Sequence, residues 1–524
     1  MTSRFIQRIS QLKDISAGQL LQASRVGLEK ETLRVNQQGS ISKTPHPIQL
    51  GSALTHPYIT TDYSEALLEL VTPPCDSVKE AMVFLTDTQK FVFSKLSNEV
   101  LWATSMPCVV AGETSIPIAQ YGSSNAGMMK TVYRKGLGYR FGRVMQVIAG
   151  VHFNYSLPMS FWQVYQVIEK DESELQTFIN DSYFSILRNL QRLGWLVPYL
   201  FGASPAVCKS FLGDAETSLQ DFDENTYYGE YATSLRMGDI GYQNNKENET
   251  GIKANYDNLD KYAESLRKAI STPCPEYEKI GVEVDGEYRQ LNANILQIEN
   301  EYYSTVRPKQ VPKGSEKPST ALKQRGVEYI ELRSLDVNAF DPLGVSETQL
   351  YFLEAFVLYC LLSDSPTIDD RERGEIDLNE LATAHRGRDP KLTLQRNGES
   401  ILLKDWALEV VAGMQSVCEL LDEAVEGQPY QQALSVQTAA IHDSSLTPSA
   451  MMLKAMHEKQ EGFFHFARRM SIQHSEYFAN IEASSQSDQL MEKTAEQSLR
   501  RQKEIEAADN ISFAEYLDNY FKKE

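Results

Sequence analysis

The sequence predicts an α+β fold. An antiparallel or mixed β-sheet with one polar, carboxylate-lined face is surrounded by helices and followed by a helical C-terminal third. Three observations carry this. Four separated stretches set acidic or imidazole side chains two residues apart: G-L-E-K-E-T-L-R at 27–34, T-T-D-Y-S-E-A-L-L-E-L at 60–70, G-V-H-F-N-Y at 150–155 and G-V-E-Y-I-E-L-R at 326–333. Side chains i and i+2 share a face of a strand. The elements run helix, strand, strand, helix, strand, and beyond about residue 345 the apolar spacing becomes helical, an order that favours α+β over a parallel sheet. The 524 residues exceed what one core usually fills, so a main unit over 1–345 and a helical region over 346–524 packing on it are expected.

The elements follow in order. Residues 1 to about 24 place Phe5, Ile9, Leu12 and Ile15 at helical spacing, and Gly27 opens the first acidic strand. Ser77 to Leu96 repeats the helical period, and Ser77 followed by Glu80 resembles a capping box; this helix is expected to cross the sheet. Residues 100–143, rich in Gly, Ser, Pro and Tyr, read as a long structured loop, a type that tends to be functional. A strand is expected at 144–157 and helices over 160–201, ending at Gly202 and Pro205. A polar loop region spans 210–257, strands resume near 280–299, and an acidic strand covers 326–337. Helices are then expected over 345–362, 402–425 and 448–481, with a solvated, charge-alternating helix at the end.

Composition narrows the function. A formal charge of −20 disfavours sequence-independent binding to nucleic acid or anionic membrane, which needs dense Lys and Arg. No apolar run approaches the about 18 residues of a membrane span, and the N-terminus lacks the apolar stretch of a signal peptide. Cysteines 75, 108, 208, 274, 360 and 418 lie far apart without a C-x-x-C pair. Free, buried thiols in a reducing cytoplasm are therefore expected. No P-loop occurs, because Met128 stands where Lys is required after the Gly122 to Gly127 spacing. Dinucleotide, nucleophile-elbow and kinase motifs are missing too.

The chemistry lies in the acidic strands. Glu29 and Glu31 on one strand are compatible with a solvent face, but four such strands together enclose carboxylates that repel one another and raise one another's pKa unless cations lie between them. Oxygen ligands with one imidazole suit Mg²⁺ or Mn²⁺ better than zinc. His152 beside Asn154 is either a satisfied core histidine or a ligand, and the ligand reading depends on the carboxylates. The stretch Asp62, Glu65, Glu69 reads as helix or as strand; as a strand it puts Glu65 and Glu69 on one face, with Asp62 in the entering turn. Arg333, two residues beyond Glu331, suits a phosphate or carboxylate, or an ion pair with a neighbouring Glu.

Nine motifs in order, G-L-E-K-E-T-L-R-V, G-S-A-L-T-H, I-T-T-D-Y-S-E-A-L-L-E-L-V-T, A-Q-Y-G-S-S-N-A-G-M-M-K-T-V-Y-R-K-G-L, G-V-H-F-N-Y-S-L-P, P-Y-L-F-G-A-S-P-A, Y-A-T-S-L-R, L-Q-I-E-N-E-Y-Y and G-V-E-Y-I-E-L-R-S-L-D-V-N, closely resemble the proteobacterial glutamate–cysteine ligase family. E-A-A-D near the C-terminus extends the resemblance, whereas 365–490 carries no transferable motif. The resemblance implies a sheet curved into a funnel, related to the glutamine synthetase catalytic domain. It implies a cytoplasmic enzyme joining L-glutamate to L-cysteine with ATP, the first step of glutathione synthesis. It further implies one metal held by Glu31, Asp62 and Glu69, and a second held by Glu29, His152 and Glu331. Arg333 would meet the transferring phosphoryl group, and Arg236, Tyr133, Tyr242 and Tyr303 would grip the amino acids. The loop 121–143 is expected to cover the reaction. A monomer acting on small molecules alone is expected.

Overall fold

The structure is a computed structural model describing residues 2–213, 215–241, 253–314, 316–482 and 485–522. Among these, seven strands form the main sheet: β1 (Arg25–Asn36), β2 (Ile59–Thr61), β3 (Leu67–Val71), β4 (Glu99–Leu101), β5 (Gly150–Ser156), β6 (Val306–Lys309) and β7 (Tyr329–Asp336). The order is β6-β7-β5-β1-β3-β2, with β4 pairing the far end of β1. Every pair is antiparallel. Pro308 lies on β6, the outermost strand, where a missing backbone donor breaks no ladder.

Period-two alternation gives the sheet two unlike faces. Leu28 pairs with Phe153, and Phe153 with Leu332, all fully buried on the core side. The helix Val78–Lys95 backs that side against β1 and β3, as its period predicts. Ser77 Oγ accepts from the Glu80 amide at its first turn, while Glu80 returns to the Asp76 amide rather than to Ser77's own. Lys30 is the one charged β1 residue turned to this side between the two acidic ones; its ammonium donates to Gln89 on that helix (2.8 Å) and to the Pro342 carbonyl (3.3 Å).

The helical third is present as Glu347–Leu362, Asp370–Arg386, Leu403–Asp422, Pro429–His442, Pro448–Lys459, Phe463–Asn480 and Ser485–Ala508, with Phe513–Lys522 at the end. One hairpin interrupts it, Thr393–Arg396 with Glu399–Leu402, turned by Asn397 and Gly398 at positive φ.

Four expectations are corrected. Residues 121–143 are not a loop: Asn125–Phe141 is a helix, despite three glycines. Residues 280–299 carry only the two-residue strands Glu283–Val284 and Glu287–Tyr288. There the Asn292 and Asn294 side chains bond the carbonyls of Gln297 and Ile270, competing with a ladder. Glu65 does not share a strand face with Glu69; it lies in a buried turn, where its carboxylate accepts from the Gln120 amide at 2.7 Å and from the His46 amide. Cys108 and Cys208 are not free thiols but a disulfide with Cα atoms 5.6 Å apart. Their separation of 100 residues hides that proximity. The other four cysteines are free and buried, as expected.

Arg34 ties the sheet to the chain around it. Its fully buried guanidinium pairs with Glu99 on β4 at 2.8 Å and donates to the carbonyls of Thr44 (2.8 Å) and Glu65 (2.9 Å). Arg34→Met strands Glu99 in a nearly closed site. A loss of about 3 kcal/mol in urea unfolding is expected; an unmoved midpoint would show that these loops are held by other contacts.

Candidate active site

The polar face of the sheet assembles the residues that the period-two pattern singles out. Glu29 faces His152 across β1 and β5, Glu31 faces Glu69 across β1 and β3, and Glu331 faces Asn154 across β7 and β5. Glu29 takes hydrogen bonds on both oxygens, from the His152 Nδ1 side at 2.9 Å and from Asn154 Nδ2 at 2.9 Å. His152 Nδ1 is 3.5 Å from Glu331 and His152 Nε2 is 3.6 Å from Glu31. Glu31 also accepts from the Gly150 amide at 2.7 Å.

A bulge aims β7. Leu332 pairs with Phe153 and Leu335 with Val151, so Arg333 and Ser334 together stand opposite His152. The extra residue keeps Leu335 on the core side and turns Asp336 to the polar side. There Asp336 accepts from the Ala203 amide (2.8 Å) and the Ser234 hydroxyl (2.9 Å). Arg333 Nη1 reaches Glu331 at 2.8 Å and His152 at 3.4 Å. Arg236 donates to the Arg333 carbonyl at 2.8 Å and lies 3.7 Å from Asp336. A Cβ at position 150 would fall 2.2 Å from Arg236 Nη2, so Gly150 makes room for that guanidinium.

The charges are unevenly balanced. Burial opposes ionisation of Glu331, but Lys309, Arg333, His152 and Arg307 hold its carboxyl well below the usual range. Burial pushes Glu69 well above that range, and Glu29, Asp62 and Glu31 add to it. Glu31 is likewise raised, by burial and then by Asp62 against the pull of His152.

Among the described residues, Glu29, His152 and Glu331 form a group whose ligand atoms lie within 4.8 Å of one another, and Glu331 Oε2 is buried with an ion pair to Lys309 at 3.1 Å but no hydrogen bond. Two carboxylates and an imidazole set this close fit a divalent cation. Glu31, Asp62 and Glu69 do not form a second group this compact: the Asp62 side chain is 46% exposed and faces Arg134 at 3.8 Å.

A cavity of about 120 Å³ opens beside these residues, bordered by Glu31, Asp62, His152, Arg333, Arg236, Tyr133 and Tyr303 among others. Tyr242 lies outside the described residues. The helix Asn125–Phe141 contributes Tyr133, Arg134 and Leu137 to the lining. Three cations were not singled out from sequence. Lys309 lies 3.1 Å from Glu331 Oε2, Arg307 faces Glu331 across the strands, and Arg134 donates through Nε to the Asp62 carbonyl. The signal for the first two was present, since R-P-K sets two cations at the same period as the carboxylates they meet.

Comparisons with known proteins identify the family. The family model described as glutamate-cysteine ligase matches residues 9–382. The glutamate–cysteine ligase of Alcanivorax borkumensis is 47% identical over 520 residues, covering 98% of this chain and 99% of that one. Its counterpart in Pseudomonas aeruginosa (strain UCBPP-PA14) is 47% identical over 494 residues, 94% of this chain and 93% of that one. The crystal structure of glutamate–cysteine ligase from Francisella tularensis in complex with AMP superposes with a TM-score of 0.89, at 37% identity and covering 95% and 98% of the two chains. A bifunctional glutathione synthetase from Pasteurella multocida gives a TM-score of 0.71 at 25% identity, over 91% of this chain and 55% of that one.

The raised Glu69 gives a signed prediction. Its proton is held more tightly folded than unfolded, so the stability linked to it is complete below its ordinary value near 4.5 and is lost as pH rises through the folded value. With chelator present, Glu69→Gln is expected to raise the melting temperature more at pH 8 than at pH 5. An equal shift at both pH values would remove the repulsion from the account.

Proposed function

This chain belongs to the glutamate–cysteine ligase family, and from that premise we propose that the polar face of its sheet is where the γ-carboxylate of L-glutamate is activated by ATP and joined to the amine of L-cysteine. The family reaction is the first step of glutathione synthesis. The observation that carries the assignment is the group Glu29, His152 and Glu331 beside Arg333, at the edge of a cavity lined by Arg236, Tyr133 and Tyr303. The AMP held by the related Francisella enzyme supports ATP as the nucleotide. We read the sheet as the wall of a funnel of the glutamine synthetase kind, belonging to a catalytic unit over 1–345 on which 346–524 packs. No helix among the described residues is long and apolar enough to cross a membrane, and the reading places the enzyme in the cytoplasm, as a monomer acting on small molecules.

A carboxylate is a poor acyl donor, so the γ-carboxylate oxygen attacks the terminal phosphorus of ATP. ADP leaves and γ-glutamyl phosphate forms. The cysteine amine then attacks the acyl carbon, its proton is lost, and phosphate departs as the amide bond closes. Arg333 and Lys309, both held against Glu331, meet the charge that grows on the transferring phosphoryl oxygens. Arg236, fixed by the Arg333 carbonyl and Asp336, is positioned for a substrate carboxylate. Tyr133 and Tyr303 border the same space and exclude water from an acyl phosphate that hydrolyses readily. Glu29, His152 and Glu331 would hold one Mg²⁺ or Mn²⁺; for a second the family resemblance points to Glu31, Asp62 and Glu69, which stand less compactly with Asp62 turned to Arg134. Such ions supply neutralisation of phosphate oxygens.

The test is ADP release with glutamate alone, with glutamate plus cysteine, and with glutamate plus other amines. Cysteine-dependent ADP with γ-glutamylcysteine as product is expected, and its absence ends the reading. Glu331→Gln removes an anion from the site rather than core packing. It is expected to lower kcat/KM at least about 100-fold with the far-ultraviolet circular dichroism unchanged. Lost secondary structure would make Glu331 a structural residue.

A further inference from the structure

The helix Asn125–Phe141 lines the cavity yet is poorly equipped to hold itself together. Gly127, Gly136 and Gly138 lower its propensity, and each is required by a close approach. A Cβ would lie 2.3 Å from the Tyr121 carbonyl, 2.2 Å from Gln297 Oε1 and 2.5 Å from the Tyr63 hydroxyl, respectively. Its stability must come from outside.

Two grips come from the last two helices. Glu506 Oε1 accepts from the Ser123 amide at 2.9 Å, and Asp509 accepts from the Asn125 amide. Asn125 Nδ2 donates to the Ile511 carbonyl at 3.0 Å. Ser124 caps the Gly127 amide at 3.1 Å, so three donors at this helix start are satisfied, two of them by carboxylates, the charge that a helix N-terminus favours. Phe513 and Leu517 then pack on Met129 and Val132 in a small cluster separate from the main core. The helix Ser485–Ala508 is itself anchored on the loop before β2: the Ser52 amide donates to Ser498 Oγ at 2.9 Å and Thr55 Oγ1 to the Ser498 carbonyl at 2.6 Å.

We propose that Asp509 and Glu506, in the E-A-A-D segment, are positioning residues for the ligase reaction: they fix the amino end of Asn125–Phe141 and through it Tyr133 and Arg134 in the substrate cavity. Neither carboxylate reaches the cavity. Arg134 is the element they act through, since it donates to the Asp62 carbonyl and lies over the Tyr121 ring at 4.7 Å, linking the helix to the acidic turn. This rests on the ligase reading above.

Asp509 is exposed, so its replacement leaves the core intact. The experiment compares Asp509→Ala, Asp509→Asn and Glu506→Ala with wild type by KM and kcat for glutamate and cysteine, melting temperature, and hydrogen exchange of amides 123–138. Expected for Asp509→Ala are a rise of about fivefold in amino-acid KM, kcat within about twofold, a melting temperature within about 2 °C and faster exchange at 123–138. Asp509→Asn, which still offers an oxygen acceptor, is expected to restore KM. Placed on Arg134→Met, Asp509→Ala should add no further loss. Unchanged exchange overturns the proposal whether or not the enzyme turns over cysteine, which separates its failure from that of the ligase reading. So does a KM effect that adds in full to Arg134→Met, or one that Asp509→Asn fails to restore.

Discussion

Like charges held face to face on one side of a sheet are the constraint on which the rest of this molecule depends. Glu29, Glu31, Glu69 and Glu331 stand on adjacent strands around a single imidazole, where water is too scarce to screen them. The protein meets this by bringing cations from three directions: Lys309 from the outer strand, Arg333 from the neighbouring strand and Arg236 from beyond the sheet. The balance is incomplete. Its surroundings hold the Glu331 carboxyl well below the usual range, while burial and its acidic neighbours push Glu69 well above it, so the four carboxylates are unequally compensated.

How far this could be read from sequence depended on the range of the signal. Period-two spacing is local, and it found both the strands and their polar face. Glu29 with His152 and Glu31 with Glu69 are grouped from sequence only through the family resemblance; the register that sets them face to face comes from the strand pairing. Arg307 and Lys309 obey the same period, but the run that carries them is only four residues long and contains a proline. Glu65 kept the period and still left the face, since the chain turns at 62–66 and its carboxylate serves two backbone amides. The bulge on β7 was legible in principle: an apolar Leu335 on the acidic phase followed by Asp336 off it marks a slipped register.

What failed was long-range or depended on packing. Asn125–Phe141 has a helix-poor composition and becomes a helix because its glycines admit Tyr121, Gln297 and Tyr63 at close quarters, contacts that no window of sequence contains. The disulfide joins a segment after β4 to a short strand 100 residues away. Residues 280–299 have strand-like apolar content, but asparagine side chains there satisfy backbone groups locally. In the helical third the period found Glu347–Leu362, Leu403–Asp422 and the region 448–481, but not Asp370–Arg386, Pro429–His442 or the hairpin turned by Asn397 and Gly398.

The position of Lys309 has a kinetic side. It sits on an outer strand paired along one edge only and over just four residue pairs, whereas the carboxylates it balances are on β1 and β7, each with a partner on both sides. Outer strands fray far more often than central ones open. Lys309 is therefore the more loosely held of the two cations that meet Glu331, because Arg333 shares a strand with that carboxylate and stays 2.8 Å from it whatever β6 does.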